Sequence, residues 1–153
     1  FPYTTLFRSD TKLKDFAICA EMKLLACNLD GFPQGGWLGV ALRAQDADNF
    51  ELVWFMPAGG GESNNVAYVP VAHGVVPWWT EAYEKQNKGA AKLDPSDWFD
   101  VRVEVRGDSF SVFAGGEFVF QKTMTYYLTS GMAGLFAGTA TDAAFRNIRI
   151  ETL

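Results

Sequence analysis

Histidine and cysteine are almost missing from this chain, with one of the first and two of the second in 153 residues. That scarcity removes most metal and thiol chemistry. Cys19 and Cys27 fall in one extended segment, where a rise of about 3.3 Å per residue sets them roughly 26 Å apart. A disulfide needs Cα atoms within about 7 Å, so both are read as free thiols. With His73 as the only imidazole they make no zinc site. Basic residues are also few, 13 Lys and Arg against 18 Asp and Glu for a net charge of -5. No positive field is available to draw in nucleic acid or an anionic membrane, and neither is expected as a partner. No apolar run approaches the length of a membrane span, so membrane insertion is not expected. Helical periodicity is missing too, since no stretch of about ten residues or more sustains it.

What is present is period two. Hydrophobic residues make up 48% of the chain and aromatics 15%, led by 13 Phe, a composition suited to large packed sheets. In DFAICAEMKLLAC, Phe16, Ile18, Ala20, Met22 and Leu24 share one face. In WLGVALRAQ, Leu38, Val40 and Leu42 oppose Gly39, Ala41 and Arg43, and DADN turns the chain into FELVWFMP. NLDGFPQGG reads as a turn-rich break and AGGGESNN as a hairpin loop. VAYVPVAH is a further strand, with Pro70 implying an edge or a bulge because it has no N–H for the ladder. A long irregular segment follows, with one helical turn expected near Glu81–Gln86; loops of that length are often functional. WFDVRVEVRG turns Phe99, Val101, Val103 and Val105 inward, and SFSVFA–GG–EFVFQK is a hairpin. GMAGLFAG and AAFRNIRIETL close the chain, with a bulge expected at Arg146–Asn147 where alternation breaks. About nine strands without a covering helix must pack sheet on sheet, as a sandwich or jelly roll.

Three stretches carry a resemblance: GWLGVALRAQDADNFELV, DWFDVRVEVRGDSFSVFAGGEFV and GMAGLFAGTATDAAFRNIRIETL. Together, over about Asp15 to Leu153, they resemble the concanavalin A-like lectin/glucanase jelly rolls. FRNIRI looks like the 3-keto-disaccharide hydrolase-type branch, and VAYVPVAHGVVPWW is similar to bacterial and metagenomic relatives of unassigned activity. The resemblance implies an all-β sandwich of two antiparallel sheets in which the first and last strands pair. A different resemblance concerns Phe1 to Ser9: all nine residues match the translation of tttccctacacgacgctcttccgatct, a common sequencing-adapter oligonucleotide. On that reading residues 1–9 are non-native, residues 10–153 form one jelly-roll domain, its natural first strand is missing, and the closing ETL strand has an open edge or an improvised partner. The alternative is that YTTLF is a true edge strand.

Jelly-roll glucanases resemble one another in a strand of E-x-D-x-x-E type that supplies paired carboxylates. Nothing here matches it, because Glu104 has Arg102 and Arg106 as same-face neighbours. The hydrolase-type branch implies proton abstraction next to a ketone, with His73 as candidate catalytic base and Arg43, Arg102 or a metal polarising the carbonyl; a turn-capping role before Gly74 is the plain alternative. Sugar binding asks for aromatic faces and fixed polar partners. Trp78, Trp79 and Tyr83 in the long loop are the candidates, with His73, Arg43, Arg102 and Glu104 as polar contacts on a concave face. Trp37 and Trp54 are read as core, and Trp98 opens a strand on the outward parity. No cofactor is expected. Calcium at Asp46 and Asp48 is the one alternative, against the turn that these residues equally favour. The expectation is a carbohydrate-recognition or accessory module of a secreted bacterial protein, extracellular or periplasmic. It would be a monomer or part of a larger multidomain protein that meets a glycan or small sugar. The alternative is a keto-glycoside hydrolase, and a third reading is a scaffolding sandwich with no small ligand.

Overall fold

Alternation gives strands an apolar face to bury, and a computed structural model describing residues 4–27, 36–57 and 64–153 shows where those faces go. Eleven strands occur among the described residues: β1 (Thr4–Arg8), β2 (Phe16–Cys27), β3 (Leu38–Asp46), β4 (Asn49–Met56), β5 (Asn65–Val71), β6 (Lys88–Ala90), β7 (Phe99–Arg106), β8 (Ser109–Ala114), β9 (Glu117–Thr123), β10 (Met132–Ala137) and β11 (Thr141–Thr152). They form two antiparallel sheets, one of six strands ordered β1-β10-β3-β4-β5-β6 and one of five ordered β11-β2-β7-β8-β9. The result is a jelly-roll β-sandwich. The turn-rich break at residues 28–36 and the hairpin loop at 58–65 lie mostly outside the described residues.

Two strands go beyond the nine expected. β6 has three residues, too few to show alternation, and is held by pairing with Asn65–Ala67. β1 pairs with β10, while the last strand pairs along its length with β2, so first and last strands are not neighbours. β11 is an edge of its sheet. The bulge falls where alternation breaks: register shifts between Arg146 and Arg149, and Asn147 takes a φ of 53°.

Pro70 is buried inside the six-stranded sheet rather than at its edge. The Tyr68 N–H points toward β6 and bonds Asn87 O at 2.8 Å. Pro70 has the same parity but lies past the end of β6, where no strand waits for an N–H.

The inward rows of both sheets meet in the main core, which includes Phe16, Ile18, Met22, Leu38, Val40, Phe55, Val103 and Phe110, all at most 1% exposed. A second apolar layer lies on the opposite, outer face of the six-stranded sheet. Phe50, Leu52, Trp54, Val69, Val71 and Phe136 form it, packed with Trp37 and Ala82. Six-stranded β-sandwich faces that look outward normally carry polar residues, so this one requires a cover. The long segment between β5 and β6 supplies it.

Candidate functional site

That segment leaves β5 through a two-residue turn. Val75 N–H donates to Ala72 O at 3.0 Å and Ala72 N–H to Val75 O at 3.2 Å, with His73 and Gly74 both at positive φ (53° and 74°). This is the mirror-type turn that strand twist favours. His73 is an exposed turn residue whose backbone N–H donates to Asn49 Oδ1 at 3.1 Å. Asp46 plays a matching part in the adjacent turn. Its Oδ1 accepts Asp48 N–H and the Asn49 side-chain amide, each at 2.8 Å, and these bonds lower the Asp46 pKa. Among the described residues no group of three or more His, Cys, Asp or Glu comes together as a metal cluster.

After Pro77 a short helical stretch of π type, Trp78–Glu84, lies over the second apolar layer. It replaces the helical turn expected at Glu81–Gln86. Adjacent residues in a helix point different ways, and here they divide the two roles. Trp78 packs edge-on against Trp37, with ring centroids 4.5 Å apart, and against Trp54 at 5.9 Å. Trp37 and Trp54 are core residues, 9% and 1% exposed. Trp79 turns outward, 69% exposed. Its ring lies 4.8 Å from that of Tyr83, tilted by 37°, and Lys88 Nζ rests 4.4 Å from the centre of the Tyr83 ring. The outcome is an aromatic ledge on the protein surface, pinned from below by a tryptophan.

The ledge is moored from the side as well. Glu81, 7% exposed, pairs with Lys85 one turn on and accepts the Thr125 hydroxyl at 3.1 Å. The Thr125 N–H donates to the Tyr68 hydroxyl at 2.6 Å, and that hydroxyl donates to Glu51 Oε2 at 2.5 Å. Glu51 is fully buried, and its other oxygen accepts Leu128 N–H at 3.3 Å. Burial pushes the Glu51 carboxyl above its ordinary pKa and raises the Tyr68 hydroxyl as well. Sequence reading missed Glu51, Tyr68, Glu81 and Thr125 as a group. One signal was available: Glu51 shares the inward parity of Val53 and Phe55, and a carboxylate in an apolar row demands partners.

Arg43, expected beside Gly39 and Ala41 on a ligand face, belongs to this buried network instead. Its φ of 51° and the register shift between Leu42 and Asp46 turn it inward, to 1% exposure. Its guanidinium donates to Lys14 O (3.0 and 2.5 Å), Leu128 O (2.8 Å), Met124 Sδ (3.9 Å) and Asp15 Oδ1 (3.4 Å). Those five bonds use all five N–H donors of the fork, so none is left for a substrate. Burial lowers its pKa.

Arg102 and Glu104 are in a third place. Val101, Val103 and Val105 point into the main core, so the residues between them face out from the five-stranded sheet, away from the ledge. Arg102 donates to Glu104 at 2.8 Å, to Glu151 at 3.0 Å and to Cys19 Sγ at 3.0 Å, and the Glu104 bond is the main cause of its raised pKa. Both cysteines are free thiols. Trp98 is half-buried under the Arg146 guanidinium, 4.1 Å from its ring centre. The structure therefore gathers Trp78, Trp79 and Tyr83, sets His73 at the turn that opens the same segment, and separates Arg43, Arg102 and Glu104 from them.

No family model matches the sequence, and no curated protein matches it. Solved structures do. The chain is similar to the carbohydrate-binding module CBM66 from Bacillus subtilis, with 19% identity and a TM-score of 0.69 over 94% of this chain and 79% of that one. It is similar to sheep galectin-11 in complex with glycerol, at 12% identity and a TM-score of 0.64 over 96% and 98%. Lactose- and MES-liganded congerin II gives 13% identity and a TM-score of 0.62 over 95% and 100%. At such identities the likeness establishes the fold, and the chain folds as a jelly-roll β-sandwich.

Proposed function

We propose that this chain is a glycan-binding module of a secreted bacterial protein and that the Trp79–Tyr83 ledge is its contact with sugar. The observation that carries the reading is a large aromatic ring 69% exposed to water on a segment anchored by Trp78 and Glu81. A wet indole is unfavourable unless it meets a partner. A ring fixed before the ligand arrives loses little entropy on binding. The apolar C–H face of a pyranose matches such a ring, and the names of the similar structures, a carbohydrate-binding module and a lactose-liganded lectin, support the same ligand class.

Calorimetry or tryptophan fluorescence with a panel of neutral oligosaccharides tests it. Trp79→Ala, on the surface, is expected to leave the fold intact and to weaken binding by about tenfold or more, the equivalent of roughly 1.4 kcal/mol. Absence of any binding at millimolar concentration, or unchanged affinity in Trp79→Ala, overturns the proposal.

A further inference from the structure

The outer face of the five-stranded sheet carries a second arrangement that the ledge does not explain. Read across the strands at one level, cross-strand pairing lines up Arg149, Cys19, Arg102, Phe113 and Phe118. Four strand spacings of about 4.8 Å make this row roughly 19 Å long. One end is apolar: Phe113 and Phe118 meet edge to face at 5.6 Å, and Phe118 is 59% exposed. The other end is a groove of about 580 Å³ lined by Cys19, Glu21, Asp100, Arg102, Asn147 and Arg149. The β11 bulge makes its wall, because Asn147 at positive φ lifts the strand while its amide reaches across to Glu21.

Among the described residues three cations of this face, Lys23, Arg106 and Arg149, have no ion pair, and of these Arg149 alone lines the groove. Arg102 is matched by Glu104 and Glu151, and Arg146 by Glu21 at 2.9 Å. Asp100 Oδ2 accepts Gly116 N–H at 3.1 Å. Among the described residues Arg149, exposed on the groove wall, has neither an ion-pair nor a hydrogen-bond partner. A free guanidinium fork fits the two oxygens of a carboxylate. The surrounding Glu21, Asp100, Glu104 and Glu151, on a chain of net charge -5, would repel a ligand carrying many negative charges. The groove therefore offers one unmatched guanidinium to a carboxylate, and the far end of the row, about 19 Å away, offers apolar rings to a sugar face.

We propose that this face is a second glycan-binding site, for an oligosaccharide of mainly neutral sugars with a single uronic acid. The uronate carboxylate pairs with Arg149 and a neutral sugar stacks on Phe113 and Phe118. The site goes beyond the ledge and stands without it, since the two faces look away from each other across the sandwich.

The test is calorimetry at low salt with a xylo-oligosaccharide bearing one glucuronic acid, the same oligosaccharide without it, and a fully charged oligogalacturonate. The singly charged ligand is expected to bind this face best. Arg149→Gln should weaken it by about tenfold and Phe118→Ser by severalfold, while Trp79→Ala leaves this component unchanged. Both substitutions are on the surface, and a urea titration of each confirms that the fold is intact. Equal affinity for the charged and uncharged oligosaccharides, tighter binding of oligogalacturonate, insensitivity to Arg149→Gln, or no binding at millimolar concentration overturns the proposal. Loss of neutral-sugar binding in Trp79→Ala bears on the ledge alone, so the two readings fail separately.

Discussion

Replacing Tyr68 with phenylalanine removes a single oxygen and leaves the ring against Phe110, whose centroid is 4.9 Å away. Packing is preserved, so the change isolates the hydrogen bonds. Two partners lose theirs: the Glu51 carboxylate and the Thr125 N–H. Glu51 is 0% exposed and cannot turn to water. A buried acceptor left unsatisfied costs about 1–3 kcal/mol, and more when it is charged. Thr125 is on an exposed residue, so its N–H recovers a water and adds less than about 1 kcal/mol. The expected loss is about 2–4 kcal/mol at neutral pH. With a urea slope near 2 kcal/mol/M, the midpoint falls by about 1–2 M. The slope itself should not change, because the same surface is exposed on unfolding. The penalty should shrink in acid, where the protonated carboxyl is cheaper to leave unpaired. A midpoint within about 0.2 M of the parent at pH 7 refutes the claim that Glu51 is sealed and dependent on this hydroxyl.

Two further outcomes follow from the same end of the sandwich. Burial holds the Glu51 pKa above its ordinary value of 4.5, so the folded state keeps that proton more tightly than the unfolded one. Its contribution to stability is complete below the unfolded pKa and is lost as pH rises through the folded one. Stability measured relative to Glu51→Gln is therefore expected to fall as pH rises from about 4 to 7, and a difference that stays constant across that window contradicts the assignment. At Gly131 an added Cβ would overlap the backbone carbonyls of Arg43 and Ala44, which cannot move without breaking the β10–β3 pairing. Gly131→Ala is expected to cost about 3 kcal/mol or more in chemical denaturation, against a negligible cost if the strands can part.

Much of this was legible in the sequence, for a physical reason. Strand residues of one parity share one face, so Phe99, Val101, Val103 and Val105 announced a core face and a sandwich around it. The division of Trp78 from Trp79 was one arrangement the sequence left open, because adjacent side chains point in different directions and one can pack while the other stays in water. Arg43 was not legible. Its parity assigned it to the outer face, but a positive φ and a bulge reversed it, and a residue with that backbone carries no mark in a single sequence. Arg102 and Glu104 show the converse. Their outward parity was correct, yet which sheet lies on which side of the sandwich is a matter of long-range pairing. Pairing with Asn65–Ala67 likewise created β6 from a Lys-Gly-Ala that has no strand pattern of its own.

The account depends on Trp79 meeting sugar while the tryptophans beneath it do not. Of the five tryptophans, each contributes one indole N–H resonance in a heteronuclear NMR spectrum, and each can be assigned by substitution. On titration with a neutral oligosaccharide, the Trp79 resonance is expected to move furthest, Trp78 to follow weakly, and Trp37 and Trp54 to stay in place. A stationary Trp79 signal at a sugar concentration that shifts resonances elsewhere in the protein would contradict it.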